Sequence, residues 1–160
     1  MCLYYDHSLT QQQKARTEKF IAYKIYAVSG VYKLQREITS IYKYGLKSSI
    51  IQKSGTFESS DVVFFEIGGG KGYALENFDK KALDISGFHS FLTKDGAEEY
   101  MMCRFSKRLY LIIAVEIDPQ DIVAAGLTIE KDPTSLTVVS SKITISPEEF
   151  SKIPIAPNLN

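Results

Sequence analysis

The order of apolar and polar residues cuts this chain into short, mostly extended pieces. Over residues 20–28, Ile21, Tyr23, Ile25 and Ala27 alternate with Ala22, Lys24 and Tyr26. A period of two, carried by β-branched and aromatic residues, predicts a strand with one face more buried than the other. Ser29-Gly30 marks a turn, and 31–34 reads as a second short strand closing a hairpin. Residues 37–46 carry Ile38, Ile41, Tyr42 and Tyr44 before Gly45, a pattern open to a short helix or a strand. The Ser-rich stretch 47–60 reads as a loop around the apolar pair Ile50-Ile51. Residues 61–67 (DVVFFEI) predict a strand that ends at the glycine-rich run 68–72. Residues 73–83 read as loop and edge structure. Near the start, 10–16 (TQQQKAR) is polar and suits a short helix or an exposed arm.

The C-terminal half is more sharply patterned. Residues 85–92 (ISGFHSFL) read as extended. Thr93 then serves as a helix N-cap, with Asp95 favouring the first turn. Ala97, Tyr100, Met101 and Phe105 place an apolar stripe along that helix. Residues 109–117 (LYLIIAVEI) are apolar nearly throughout, which predicts a central strand covered on both faces. A turn at 118–121, a strand at 122–126, a polar turn at 130–135 and a strand at 137–145 follow. Ser146-Pro147-Glu148-Glu149 has the form of a helix start: a capping Ser, Pro at the first position, then acids in the first turn. The tail, 154–160, contains two prolines and should fray or lie extended. Strands outnumber helices, and strict βαβ alternation is absent. The expected fold is therefore α+β: a single domain over 1–153, with a mixed or mainly antiparallel sheet and helices on one side.

Composition bounds this picture. The chain has 160 residues, 44% of them hydrophobic, with 10 Tyr and 9 Phe. That length can bury about two thirds of its unfolded surface, enough for a core without disulfides or a structural metal. Lys+Arg 19 and Asp+Glu 19 cancel, which argues against nucleic acid as the main partner, since such binders usually carry a basic excess. Only Cys2 and Cys103 are present, too few for a disulfide framework and unable to make a zinc site alone, with only His7 and His89 available to help. Cys103 is expected as a buried free thiol. No secretory leader and no membrane-spanning apolar run are visible, so an unsecreted protein in a reducing setting is expected.

Few residues suggest chemistry. The run Gly68–Gly72 with Lys71 offers backbone amides and an ammonium that can hold an anion, but its spacing is not that of a phosphate-binding P-loop, and a hairpin turn is the simpler reading. His89, in Gly87-Phe88-His89-Ser90-Phe91, is the candidate general base; the competing reading is a core histidine bonded to backbone. Cys2 would become an N-terminal nucleophile if Met1 were removed, or else a small apolar residue starting the first strand. Tyrosines are dense in the first half, and Tyr4, Tyr5, Tyr23 and Tyr26 are candidate contact residues for a partner. No cofactor and no metal are expected.

Met1-Cys2-Leu3, the strand Ala22-Tyr23-Lys24-Ile25-Tyr26, the Gly87-Phe88-His89 segment before a helix and the strands near 115–126 and 138–145 together resemble a loosely defined group of small uncharacterised proteins of large DNA viruses and bacteriophages. The resemblance spans most of the chain outside 47–81. It implies a viral origin and no established activity, with a setting in the host cytoplasm or the virion. Three functions are compatible with it. The first is a module binding a host or viral protein through the Tyr-rich half. The second is a small enzyme with His89 in a cleft, acting on a nucleotide-like or ADP-ribosyl substrate with Lys71 facing phosphate. The third is a minor structural component of the virion.

Overall fold

A computed structural model of the chain describes residues 2–29, 35–40, 50–59, 64–66, 74–104 and 110–155. These form one α+β domain in which every strand pairing is antiparallel. In chain order the elements are β1 (Cys2–Tyr5), α1 (His7–Lys14), β2 (Phe20–Ser29), β3 (Glu37–Ser40), β4 (Ile50–Ile51), β5 (Gly55–Glu58), β6 (Phe64–Glu66), β7 (Ala82–Ile85), β8 (Phe88–Phe91), α2 (Lys94–Arg104), β9 (Tyr110–Ile117), β10 (Ile122–Leu127), β11 (Leu136–Ser140), β12 (Lys142–Ile145) and α3 (Pro147–Ser151).

The ladders close on themselves. β9 pairs with β2 along its whole length, from Phe20 opposite Ile117 to Ala27 opposite Tyr110. β2 meets β8 at Tyr23 and Phe91, and β8 pairs with β11 from Phe88 opposite Ser140 to Phe91 opposite Thr137. β11 runs through Ser141 directly into β12, and β12 returns to β9 at Thr144 and Glu116. One bent strand thus joins both ends of the ring, making a small barrel. From it β10, β1, β7 and β6 continue outward in order, and β3 with β4 extends from the C-terminal half of β2. The main core confirms the closure, because its side chains come from every wall: Ala22 and Tyr26, Phe88, Val138, Ile143 and Ile145, and Ile113, Val115 and Ile117.

Each helix begins where its capping residue stands. Asp6 accepts from Leu9 N at 2.9 Å for α1, Thr93 Oγ1 from Gly96 N at 3.0 Å for α2, and Ser146 Oγ from Glu149 N at 3.1 Å for α3. α2 lies on the outer wall, where Ala97 packs with Ile25 and Phe91. α1 and α3 close off the interior, with Leu9 and Phe150 packed against it. Thr10 of α1 is tied into β10, its hydroxyl accepting from Ala125 N at 2.9 Å. No helix among the described residues is long and apolar enough to cross a membrane.

Several expectations need correction. Residues 137–145 are two strands, not one, because the chain bends at Ser141, whose N–H donates to Asp121 O at 2.9 Å. Residues 85–92 also divide: Gly87, at φ +123, turns β7 into β8, and a Cβ there would press on Ser140 O and Val139 at 3.0 Å. The Ser-rich stretch contains β4 and β5. β9 lies between β2 and β12 as a central strand should, but it is not covered on both faces. Ile113, Val115 and Ile117 are buried, while Glu116 is exposed. Cys103 is exposed. The helical period that turns Ala97, Tyr100 and Met101 toward the sheet turns Met102 and Cys103 away from it. The predicted hairpin strand 31–34 and the glycine run 68–72 lie outside the described residues.

Candidate functional site

His89 sits in β8, opposite Val139 of β11, and is 3% exposed. Its Nδ1 lies 3.4 Å from Gly87 O. Burial, and then the positive charge of Lys24, lower its pKa to about 3, so it is a neutral imidazole at any physiological pH. This is the core histidine bonded to backbone, not a base facing substrate. Lys71 lies outside the described residues. Among those described, no cluster of three or more His, Cys, Asp or Glu residues could hold a metal ion.

The tyrosines do not form one surface. Tyr5 and Tyr26 are 1% and 0% exposed and belong to two different core clusters. The Tyr5 hydroxyl bonds His7 Nδ1 at 3.1 Å, and its pKa is raised, chiefly by burial. Tyr4 is half-buried in β1, far along the sheet from β2. Tyr23 alone of the four stands on the outer wall of the barrel, half-buried against the α2 cluster. Tyr32, Tyr42 and Tyr44 lie outside the described residues.

A residue the sequence did not single out occupies the interior. Lys24 points inward from β2, is 4% exposed, and donates from Nζ to His89 O at 2.8 Å. The rings of Tyr26 and Phe88 lie 5.4 Å and 5.7 Å from Nζ, within cation–π range. Burial lowers its pKa to about 7. Register explains the setting. Tyr23 faces Phe91, so one residue along Lys24 comes beside Ser90, and two further on Tyr26 comes beside Phe88, itself opposite Ser140. The hydroxyls of Tyr26, Ser90 and Ser140 are buried with no hydrogen-bond partner among the described residues. An amine that titrates near neutrality has the reactivity of a nucleophile, but a nucleophile must meet its substrate, and this one is enclosed by the barrel.

The accessible site is on the other side of the same strands. A groove of about 550 Å³ runs beside β9 between α2 and α3, lined by Tyr23, Val28, Tyr110, Ile112, Lys94 and Lys152 among others. A recess of about 480 Å³ continues from it over Met101 and Met102, sharing Lys94, Tyr110, Leu111 and Ile112. Another, of about 460 Å³, continues the opposite way past Ile21 and Ser146, sharing Ala114 and Glu149. Together they make one surface trough along β9. Two of the large hydrophobics exposed on this protein line it: Ile21 at 49% and Met102 at 64%. Its lysines are matched, Lys94 with Glu98 at 4.0 Å and Lys152 with Glu149 at 3.0 Å. Neither Lys24 nor His89 lines any part of this trough.

Compared with family models, with curated proteins and with solved structures, the chain matches none. The fold and the trough are therefore what bears on function.

Proposed function

We propose that this protein is a binding module whose contact surface is the trough along β9, and that its partner is a protein, viral or of the host as the sequence resemblance implies. The supporting observation is the continuous row of exposed and half-buried apolar side chains, Ile21, Tyr23, Ile112 and Met102, bordered by matched charges. A concave apolar strip with a polar rim is the usual anatomy of a protein contact site. The interior offers the opposite conditions. Lys24 is closed off from solvent there, and His89, on the other face of β8, is 3% exposed, so the binding reading is favoured over an enzyme built on His89.

The test compares the chain with a trough variant carrying Tyr23→Ser and Met102→Ser, and with a remote control, Glu130→Gln. Each is immobilised and exposed to extract from the cells in which the protein is made. A specific partner retained by wild type and by Glu130→Gln, but lost by the trough variant at unchanged circular dichroism, supports the proposal. A partner held equally by all three removes the trough from the binding reading.

A further inference from the structure

The trough has an unusual wall. Five consecutive residues of β9, from Tyr110 to Ala114, line its central part. Alternate side chains of a strand point to opposite faces, so a recess touched by all five opens at the side of the strand. The hydrogen-bond directions agree. Ala114 N–H donates to Glu149 Oε1 at 3.0 Å, away from β2, and Glu116 pairs outward with Thr144 of β12. In an antiparallel ladder the outward-facing residues alternate, so the N–H and C=O of Ile112 also point away from β2. Among the described residues, no strand pairs with β9 on that side beyond Glu116.

The sequence shows why the ladder stops. Continuing β12 in register would bring residue 146 beside Ala114 and residue 148 beside Ile112. Instead Ser146 caps α3 and Pro147 turns the chain away. Glu149 then reaches back and occupies one position of the missing strand with a side-chain carboxylate. Among the described residues, Ile112 keeps an open edge beside a groove of about 550 Å³, on the side where a neighbouring strand would lie at ~4.8 Å.

We infer that the open edge of β9 at Ile112 takes up an extended, uncharged segment of the partner protein as an added strand. This rests on the binding-module reading and specifies its mode. Main-chain groups would supply the affinity, and the apolar side chains of Tyr23 and Ile112 the selectivity. The absence of charge follows from the rim, where each lysine already faces its own glutamate, so a charged segment would gain no unmatched partner there.

The experiment uses short peptides selected from a displayed random library against the full-length chain, with hydrogen exchange on ¹⁵N-labelled protein. In the free chain the Ile112 amide should exchange at least about tenfold faster than that of Ile113, which bonds to β2. Bound peptide should slow Ile112 by a similar factor, and N-methylation of the peptide at alternate residues should weaken binding about tenfold or more. An Ile112 amide as protected as Ile113 in the free chain overturns the inference. Peptides that lose binding to Tyr23→Ser yet tolerate N-methylation overturn strand addition while leaving the trough as a binding face. Failure to select any peptide that depends on the trough removes both.

Discussion

Inside the barrel, β2 presents Ala22, Lys24 and Tyr26, all buried; outside, the same strand presents Ile21, Tyr23 and Ile25, of which Ile21 is half exposed. By residue type the two faces are the wrong way round, since the lysine is inside and an isoleucine is outside. β9 across the ladder is conventional inside, with Ile113, Val115 and Ile117, and mixed outside, with Tyr110, Ile112, Ala114 and Glu116. Closure decides burial here. A side chain pointing into a closed ring is buried whatever its polarity, and one pointing out is buried only where a helix lies over it. Ile25 is covered by α2 and is 4% exposed, whereas Ile21, beyond the reach of that cluster, is 49% exposed.

The largest test of that contrast is a pair of truncations at neighbouring positions. Ile113→Ala removes a fully buried interior side chain and should cost about 2–5 kcal/mol in urea denaturation. Ile112→Ala, facing the trough, should cost clearly less. Equal losses would mean that the two walls are equally buried and that no open face exists.

The buried lysine and histidine should appear as a pH dependence of stability. Lys24 titrates near 7 when folded, against 10.5 as its ordinary value. The unfolded chain therefore holds the extra proton between those values, and stability should rise as pH increases from 7 toward 10.5. His89 titrates near 3 when folded against 6.5 ordinarily, so stability should fall as pH drops from 6.5 toward 3. Lys24→Met should abolish the upper slope and, at neutral pH and below, raise stability by about 1–4 kcal/mol, since an apolar side chain of similar size removes the cost of burying the amine. Urea midpoints across pH decide this. An unchanged upper slope in Lys24→Met would show that Lys24 is not the group responsible.

Smaller effects sharpen the picture. Tyr26→Phe deletes a buried hydroxyl that has no partner among the described residues, so it should be neutral or stabilising by up to about 1 kcal/mol. A loss above that range would reveal a hydrogen bond at that oxygen. Met102→Ser should change thermal stability by no more than about 0.5 kcal/mol, because Met102 is 64% exposed. A larger loss would place Met102 in the packing and narrow the trough.

Much of the secondary structure was legible in the chain. The alternation at 20–28, the caps at Thr93 and Ser146 and the apolar run before Asp118 each signalled an element that the fold contains, because periodicity and capping are local properties of backbone geometry. The bends at Gly87 and Ser141 were harder to read. A segment such as 137–145, β-branched on both sides of Ser140-Ser141-Lys142, has the same local pattern whether the strand stays in one ladder or crosses to another. The site was least legible. His89 and the tyrosines drew notice by residue type, yet Tyr5, Tyr26 and His89 are enclosed. Lys24, the residue with the most altered setting on β2, looked like an ordinary solvent-facing lysine. The trough residues Tyr110 and Ile112 resembled core. One signal was available: the helix start Ser146-Pro147 directly after a strand, which means that strand ends early and leaves its neighbour with an unmatched edge.

Taken alone, the sequence determined an α+β domain, most of its strand positions, and the starts of α2 and α3, since those follow from φ/ψ preferences and hydrogen bonding within a few residues. Tertiary structure decided which face of β2 became interior, that Lys24 is buried beside His89, and that among the described residues no strand pairs with that side of β9 beyond Glu116. Those outcomes depend on ring closure between segments far apart in the chain, and the pattern of neighbouring residues carries no record of which strand will lie alongside which.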